Sequence, residues 1–167
     1  MALAAAFEYV MKRQAFGKTL IEQPVVRNRL ARAGAELETQ WSWVESFVYQ
    51  ISRLPKEVAD AKLGGLTALA KAKAAMVLNE CAQTAQLLHG GNGYTQSGQG
   101  ELVEKIAREV AGARIPVSRN LLCGSRRYAV WAHQLIQCEQ GGSEDVMLDL
   151  SIRQLYKNYQ KANQAKF

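Results

Sequence analysis

Three glycines fall within four residues in the run His89-Gly90-Gly91-Asn92-Gly93-Tyr94-Thr95, directly after a long helix-forming segment that begins near Glu57. Glycine tolerates positive φ and lets a ligand come close to the main chain. A helix that stops at such a turn leaves bare N–H groups able to face a phosphate. A plain helix cap would use the same residues and need no ligand. Two further runs give the glycines their value: Arg13-Gln14-Ala15-Phe16-Gly17-Lys18 near the start and Gly141-Gly142-Ser143-Glu144-Asp145 near the end. The expectation is that the three converge on one ligand.

Charge points the same way without choosing the ligand. The chain carries a net +6, and its first 32 residues hold Lys12, Arg13, Lys18, Arg27, Arg29 and Arg32 against Glu8 and Glu22. That surplus suits a dinucleotide phosphate, an acyl carrier, nucleic acid or an acidic protein surface, and equally a solvated basic helix face. Nucleic acid ranks last, because neither a recognition-helix signature nor a series of stacking aromatics accompanies the charge. Cys81, Cys123 and Cys138 are odd in number and lack CxxC spacing, so they imply no disulfide framework, no zinc site and a reducing, intracellular compartment. The apolar opening Met1–Ala6 is too short to span a membrane and lacks the basic start of a signal peptide. No compartment is specified further.

The elements that must position these runs are helices. At 167 residues and 48% hydrophobic content the chain can bury one ordinary core. Prolines occur only at 24, 55 and 116. Leu3, Phe7, Val10 and Met11 have helical spacing. Val26, Leu30, Ala33, Leu37, Trp41, Val44, Val48 and Ile51 form a stripe of alternating three- and four-residue steps. Pro24 sits where that helix begins, and Pro55 marks its end. Residues 57–88 are alanine-rich, with Leu63, Leu66, Ala70, Val77, Cys81 and Leu88 on one side, and Gly64-Gly65 requires a close neighbour. Leu102, Ile106 and Val110 mark a short helix. Leu148, Ile152, Leu155 and Tyr159 mark a last one over about 143–162, with Ser143 as N-cap and Glu144 and Asp145 in its first turn. No strand pattern of useful length occurs. The fold class is all-α, an antiparallel helical bundle of the four-helix type. Its spine is two long helices joined at Leu54-Pro55-Lys56.

These motifs together resemble the C-terminal α-helical domain of the flavin-dependent acyl-CoA dehydrogenases. Tyr9-Val10-Met11-Lys12-Arg13-Gln14-Ala15-Phe16-Gly17-Lys18 is similar to that family's helix end and turn. Gln86-Leu87-Leu88-His89-Gly90-Gly91-Asn92-Gly93-Tyr94 is similar to its glycine turn, Arg108 to the arginine that follows, and Gly141-Gly142-Ser143 to the loop before its last helix. The likeness covers a single domain, 1–167, interrupted by an atypical segment at 117–140. That segment has neither stripe nor capping signal. Deleting it joins Pro116 to Gly141 and restores the family's loop in frame, which reads as a retained intron; a lineage-specific loop is the alternative.

The resemblance implies FAD as cofactor, held between subunits of a homodimer or tetramer. It implies an acyl-CoA substrate and an electron-accepting flavoprotein or oxygen as oxidant. By position Arg13 would neutralise the FAD pyrophosphate with its permanently charged fork of donors. Phe16 would pack beside the ribityl or adenine part, and Leu87, Gly90 and Gly91 would line the adenine dinucleotide. Ser143 and Asp145 would lie beside the adenosine. Two positions depart from the family: Pro24 stands where many relatives have a glutamine that bonds the cofactor, and His89 where they are apolar.

The family reaction needs a desolvated glutamate that takes the α-proton of the thioester while hydride leaves the β-carbon for the flavin. Gly141 occupies the position of that base in one branch of the family; in the other branch the base lies on a helix that would precede Met1. Neither Glu139, in the atypical segment, nor Glu144, in a helix first turn, replaces it. No catalytic base is assigned. The expectation is a fragment that by itself does not turn over acyl-CoA. The competing expectation is a non-catalytic helical oligomerisation or interaction module.

Overall fold

The computed structural model describes residues 1–114 and 143–164. Helix α1 (Ala2–Lys12) leads into a two-residue strand pair, β1 (Gln14–Ala15) and β2 (Lys18–Thr19), and a 3-10 turn at Leu20–Glu22. Helix α2 (Pro24–Arg53) and helix α3 (Lys56–His89) follow, then 3-10 turns at Gly90–Tyr94 and Gly98–Gly100, helix α4 (Glu101–Arg114) and helix α5 (Glu144–Gln164). The bundle is all-α, as the periodicity predicts. The atypical segment and Gly141-Gly142 lie outside the described residues.

Helix α3 is the axis. Its length follows from an almost unbroken supply of strong helix formers, and it ends where Gly90 takes φ +58°, which only glycine adopts cheaply. At roughly 1.5 Å per residue it is about 50 Å long, enough to seat two sets of neighbours. Its C-terminal half packs against α1 and α4 through Ala6, Val10, Ala85, Leu88 and Val103. Its N-terminal half lies between α2 and α5. Ala59, Leu63 and Ala70 meet Phe47 of α2, and the opposite edge, Ala68 and Ala72, meets Met147 of α5. Gly65 fills the need its sequence position announces: a Cβ there would stand 2.9 Å from the Ser151 carbonyl oxygen, so α5 crosses α3 at backbone range.

The α2 stripe is rotated from its predicted face. The buried positions are Ala33, Gln40 and Phe47, one per heptad, while Leu37, Trp41, Val48 and Ile51 are exposed. Helix α2 carries an apolar band wider than one partner covers. Periodicity locates such a band but not which edge α3 occupies. Helix α5 behaves likewise: Met147 and Ser151 are buried, while Ile152 and Tyr159 face out.

Gln40 is the polar member of the α2–α3 seam. Its Nε2 donates to the Ala70 carbonyl at 3.1 Å, while its Oε1 is buried without a partner among the described residues. An orphaned acceptor in a core seam costs more than one amide hydrogen bond returns. Gln40→Leu is therefore expected to raise stability by about 1 kcal/mol, read as a higher urea midpoint at unchanged slope. A lower midpoint would assign the amide a specific role in setting the seam's register.

Candidate functional site

The arginine turn is a tight hairpin. Arg13 ends α1 in extended backbone, with its N–H donating to the Tyr9 carbonyl at 2.9 Å. Gln14 pairs with Thr19 and Ala15 with Lys18, which leaves Phe16 and Gly17 as a two-residue loop. Both have positive φ, +56° and +73°, the mirror-type turn that matches strand twist. Glycine adopts it freely; phenylalanine does so at a cost of about 1 kcal/mol. The ring gains nothing from the fold in return, since Phe16 is 96% exposed. Glu22 braces the hairpin's exit by accepting from the Thr19 N–H at 3.1 Å and the Thr19 hydroxyl at 2.8 Å, and these bonds draw its carboxyl below the usual range.

The glycine elbow sits beside this hairpin because α1 is docked on the end of α3. The Tyr9 ring, one turn before Arg13, stacks on His89 at 4.3 Å between centroids. The Tyr9 hydroxyl accepts from Asn92 Nδ2 at 3.1 Å. His89 is 3% exposed, with Nδ1 2.9 Å from the Ala85 carbonyl oxygen. It packs at the end of α3, between α1 and the elbow.

The elbow's glycines separate into two kinds. At Gly93 a Cβ would meet the Gln86 carbonyl at 2.6 Å, and at Gly100 it would strike the Asn92 carbonyl, so the fold itself demands both. Gly90 is needed for its φ. Gly91 has no positive φ, and a Cβ added to it would meet no atom within 4 Å. Nothing among the described residues requires glycine there, and the residue faces open space.

Beyond the elbow, Leu87, Thr84 and Glu80 continue one face of α3 at helical steps, with Leu87 61% exposed. Glu80 and Thr84 of this face form one wall of a shallow, open groove of about 490 Å³. Asn28, Arg29 and Arg32 of α2 form the other wall, with Pro24 and Val25 at its end. Arg13, Arg29 and Arg32 have no ion-pair partner among the described residues, so three permanent charges stand free near one end of the bundle. The sequence presents Arg29 and Arg32 only as part of a basic surplus. Asn28, Glu80 and Thr84 carry no motif at all, because a groove between two helices is a property of their packing.

Ser143 and Asp145 lie elsewhere in the chain. Ser143 directly precedes α5, and its carbonyl accepts the Met147 N–H at 2.9 Å. Since Met147 packs on Ala68 and Ala72, Ser143 stands beside the middle of α3, roughly 24 Å along the axis from Gly90. Arg114 fixes this end of α5 through its Nε, 2.9 Å from Glu144 Oε2. Within one chain, then, Arg13, Phe16, Leu87, Gly90 and Gly91 share one end of the bundle, while Ser143 and Asp145 occupy its middle. Arg108, the helix arginine after the elbow, pairs with Glu104 at 3.2 Å. Among the described residues no group of His, Cys, Asp and Glu could hold a metal ion, and no helix is long and apolar enough to cross a membrane.

Comparison with known proteins gives the arrangement a context. Residues 1–117 match the family described as acyl-CoA dehydrogenase, C-terminal domain. The chain is 58% identical over 166 residues to acyl-CoA dehydrogenase apdG of Emericella nidulans, covering 99% of this chain and 32% of that protein. It is 27% identical over 160 residues to acyl-CoA dehydrogenase AFT10-1 of Alternaria alternata, covering 95% and 32% respectively. The chain thus spans about a third of the length of the curated relatives it matches. No solved structure matches it.

Proposed function

The chain belongs to the acyl-CoA dehydrogenase family, in the part occupied by the C-terminal helical domain, and from that premise we propose that it supplies cofactor-binding and dimer contacts to an FAD-dependent α,β-dehydrogenation of an acyl-CoA thioester. When bound, FAD would supply the redox chemistry. The chain's own residues would hold it. The arginine of the hairpin, with Arg29 and Arg32 in the groove, offsets the charge of a diphosphate. Gly91 and the Leu87 face lie flat against the nucleotide, and Phe16 extends from its strained turn across an apolar part of the ligand.

The observation that carries the reading is the docking of the arginine hairpin's helix on the glycine elbow through Tyr9, His89 and Asn92, with Gly91 of that elbow facing open space. The separation of Ser143 and Asp145 from the elbow fits two cofactor molecules in a dimer, each bridged by different runs of the two chains. The exposed apolar edge of α2 supports such an association. Of the two glutamates weighed as the base, Glu144 is tied to Arg114 and Glu139 lies outside the described residues, so the base stays unassigned. The chain alone is therefore expected to bind but not to turn over.

Titrating the purified chain with FAD and following flavin fluorescence tests this. Saturable binding that weakens with added salt is the expected result, together with no dye-coupled oxidation of acyl-CoA. Turnover by the 167-residue chain would overturn the assignment of no base. Self-association without any flavin binding would favour the alternative reading, an interaction module that keeps the fold and lacks the chemistry.

A further inference from the structure

The α2–α3 groove contains one group that does not suit a phosphate site. Two of its lining residues, Arg29 and Arg32, are free cations, yet Glu80 stands on the facing wall with no ion-pair partner among the described residues. A carboxylate in a site that only binds phosphate repels its ligand. The same carboxylate becomes useful when the ligand carries a vicinal diol beside its diphosphate, because two carboxylate oxygens accept from two neighbouring hydroxyls. An adenosine diphosphate whose ribose is unmodified has that arrangement: anionic at one end, a free diol at the other.

We infer that Glu80 makes this groove selective for an adenosine diphosphate whose ribose bears no phosphate, with Arg29 and Arg32 on the diphosphate. The inference rests on the cofactor reading above and deepens it. Both molecules in the proposed reaction carry an adenosine diphosphate. The flavin cofactor has an unmodified ribose, whereas a CoA thioester has a phosphate on the ribose 3′-oxygen. A groove built from cations alone would accept either, and would favour CoA for its extra charge. Glu80 reverses that preference: it bonds the free diol and opposes a dianionic 3′-phosphate. Thr84, one turn further along α3, places a hydroxyl on the same wall to complete the polar contacts. Specificity of this kind depends on a repulsive element as much as an attractive one.

The test compares ADP with 3′-phospho-ADP on the purified chain by calorimetric titration, beside FAD itself. The expected result is weaker binding of 3′-phospho-ADP by on the order of tenfold. In Glu80→Gln, which keeps size and hydrogen bonding but loses charge, that difference should close mainly because 3′-phospho-ADP tightens. Arg32→Gln should weaken both nucleotides, the more highly charged 3′-phospho-ADP at least as much as ADP. If the chain binds FAD and ADP but Glu80→Gln leaves the ratio where it was, or if the native chain binds 3′-phospho-ADP as well as ADP, the role of Glu80 is overturned and the cofactor reading stands. If neither FAD nor ADP binds, both fall. Glu80 is exposed on its helix, and an unchanged thermal midpoint in the variant confirms that the comparison is between folded proteins.

Discussion

Gly100→Ala is expected to cost about 3 kcal/mol or more of folding stability, a large effect for one added methyl group. Overpacked side chains usually find a rotamer that relieves the clash. Here the obstacle is main chain: the new Cβ would fall on the Asn92 carbonyl group, with the Gly93 nitrogen only 3.1 Å away. Asn92 cannot retreat without consequences. Its carbonyl accepts the Thr95 hydroxyl at 2.8 Å, and its Nδ2 donates to Tyr9. Relief of the clash therefore pulls at the α1 contact as well, and the damage should spread to the hairpin that Arg13 opens. Urea unfolding measures the loss. Gly112→Ala in α4 is the control, because a Cβ there meets nothing and a helical alanine should gain about 0.5–1 kcal/mol over glycine. A Gly100→Ala protein within experimental error of native stability would mean that the elbow adjusts and does not hold α1 in place.

The contrast between Gly100 and Gly91 also shows where a sequence informs and where it falls silent. The helices were legible because their spacing, prolines and terminal glycines are local properties: α2 begins at Pro24 and α3 ends at His89. The buried side of α3 was legible for a related reason. An axial helix is enclosed by neighbours: Leu63, Ala70, Val77, Cys81 and Leu88 are buried and Leu66 is half-buried. Edge helices resisted the same reading. Trp41 and Val48 continue the apolar stripe of α2 and yet face outward, since periodicity carries the width of the band but not the position of the single neighbour. Short-range conformation was equally hidden: Phe16 gives no sign in the sequence that it takes a left-handed turn, because that turn is favoured by asparagine and glycine rather than by aromatics. As for the site, the motifs reveal the arginine and the glycines but cannot separate a glycine required by crowding from one that leaves room. Only the contacts around each Cα make that distinction.

That distinction leads to the second large effect. Arg13→Gln and Gly91→Val are each expected to weaken FAD binding by about tenfold or more while leaving the unfolding midpoint nearly unchanged. For Arg13 the size follows from a charged hydrogen bond worth about 1.5–3 kcal/mol, at tenfold per 1.4 kcal/mol; its guanidinium has no ion-pair partner among the described residues to lose. For Gly91 the mechanism is exclusion, since a branched side chain would project into the space that the ligand's backbone approach requires. The pair separates two accounts that share every residue. If the glycine turn only caps α3, neither substitution should change flavin binding and neither should cost much stability, because the cap is Gly90 and a Cβ at Gly91 meets nothing. If the turn serves a dinucleotide, both lose binding and neither loses stability. Because both residues would touch one diphosphate, the double variant should weaken binding by less than the product of the single effects. Strict multiplicativity would place them on separate ligands and break the link between hairpin and elbow. Only their contact through Tyr9, His89 and Asn92 would then remain, as a feature of packing alone.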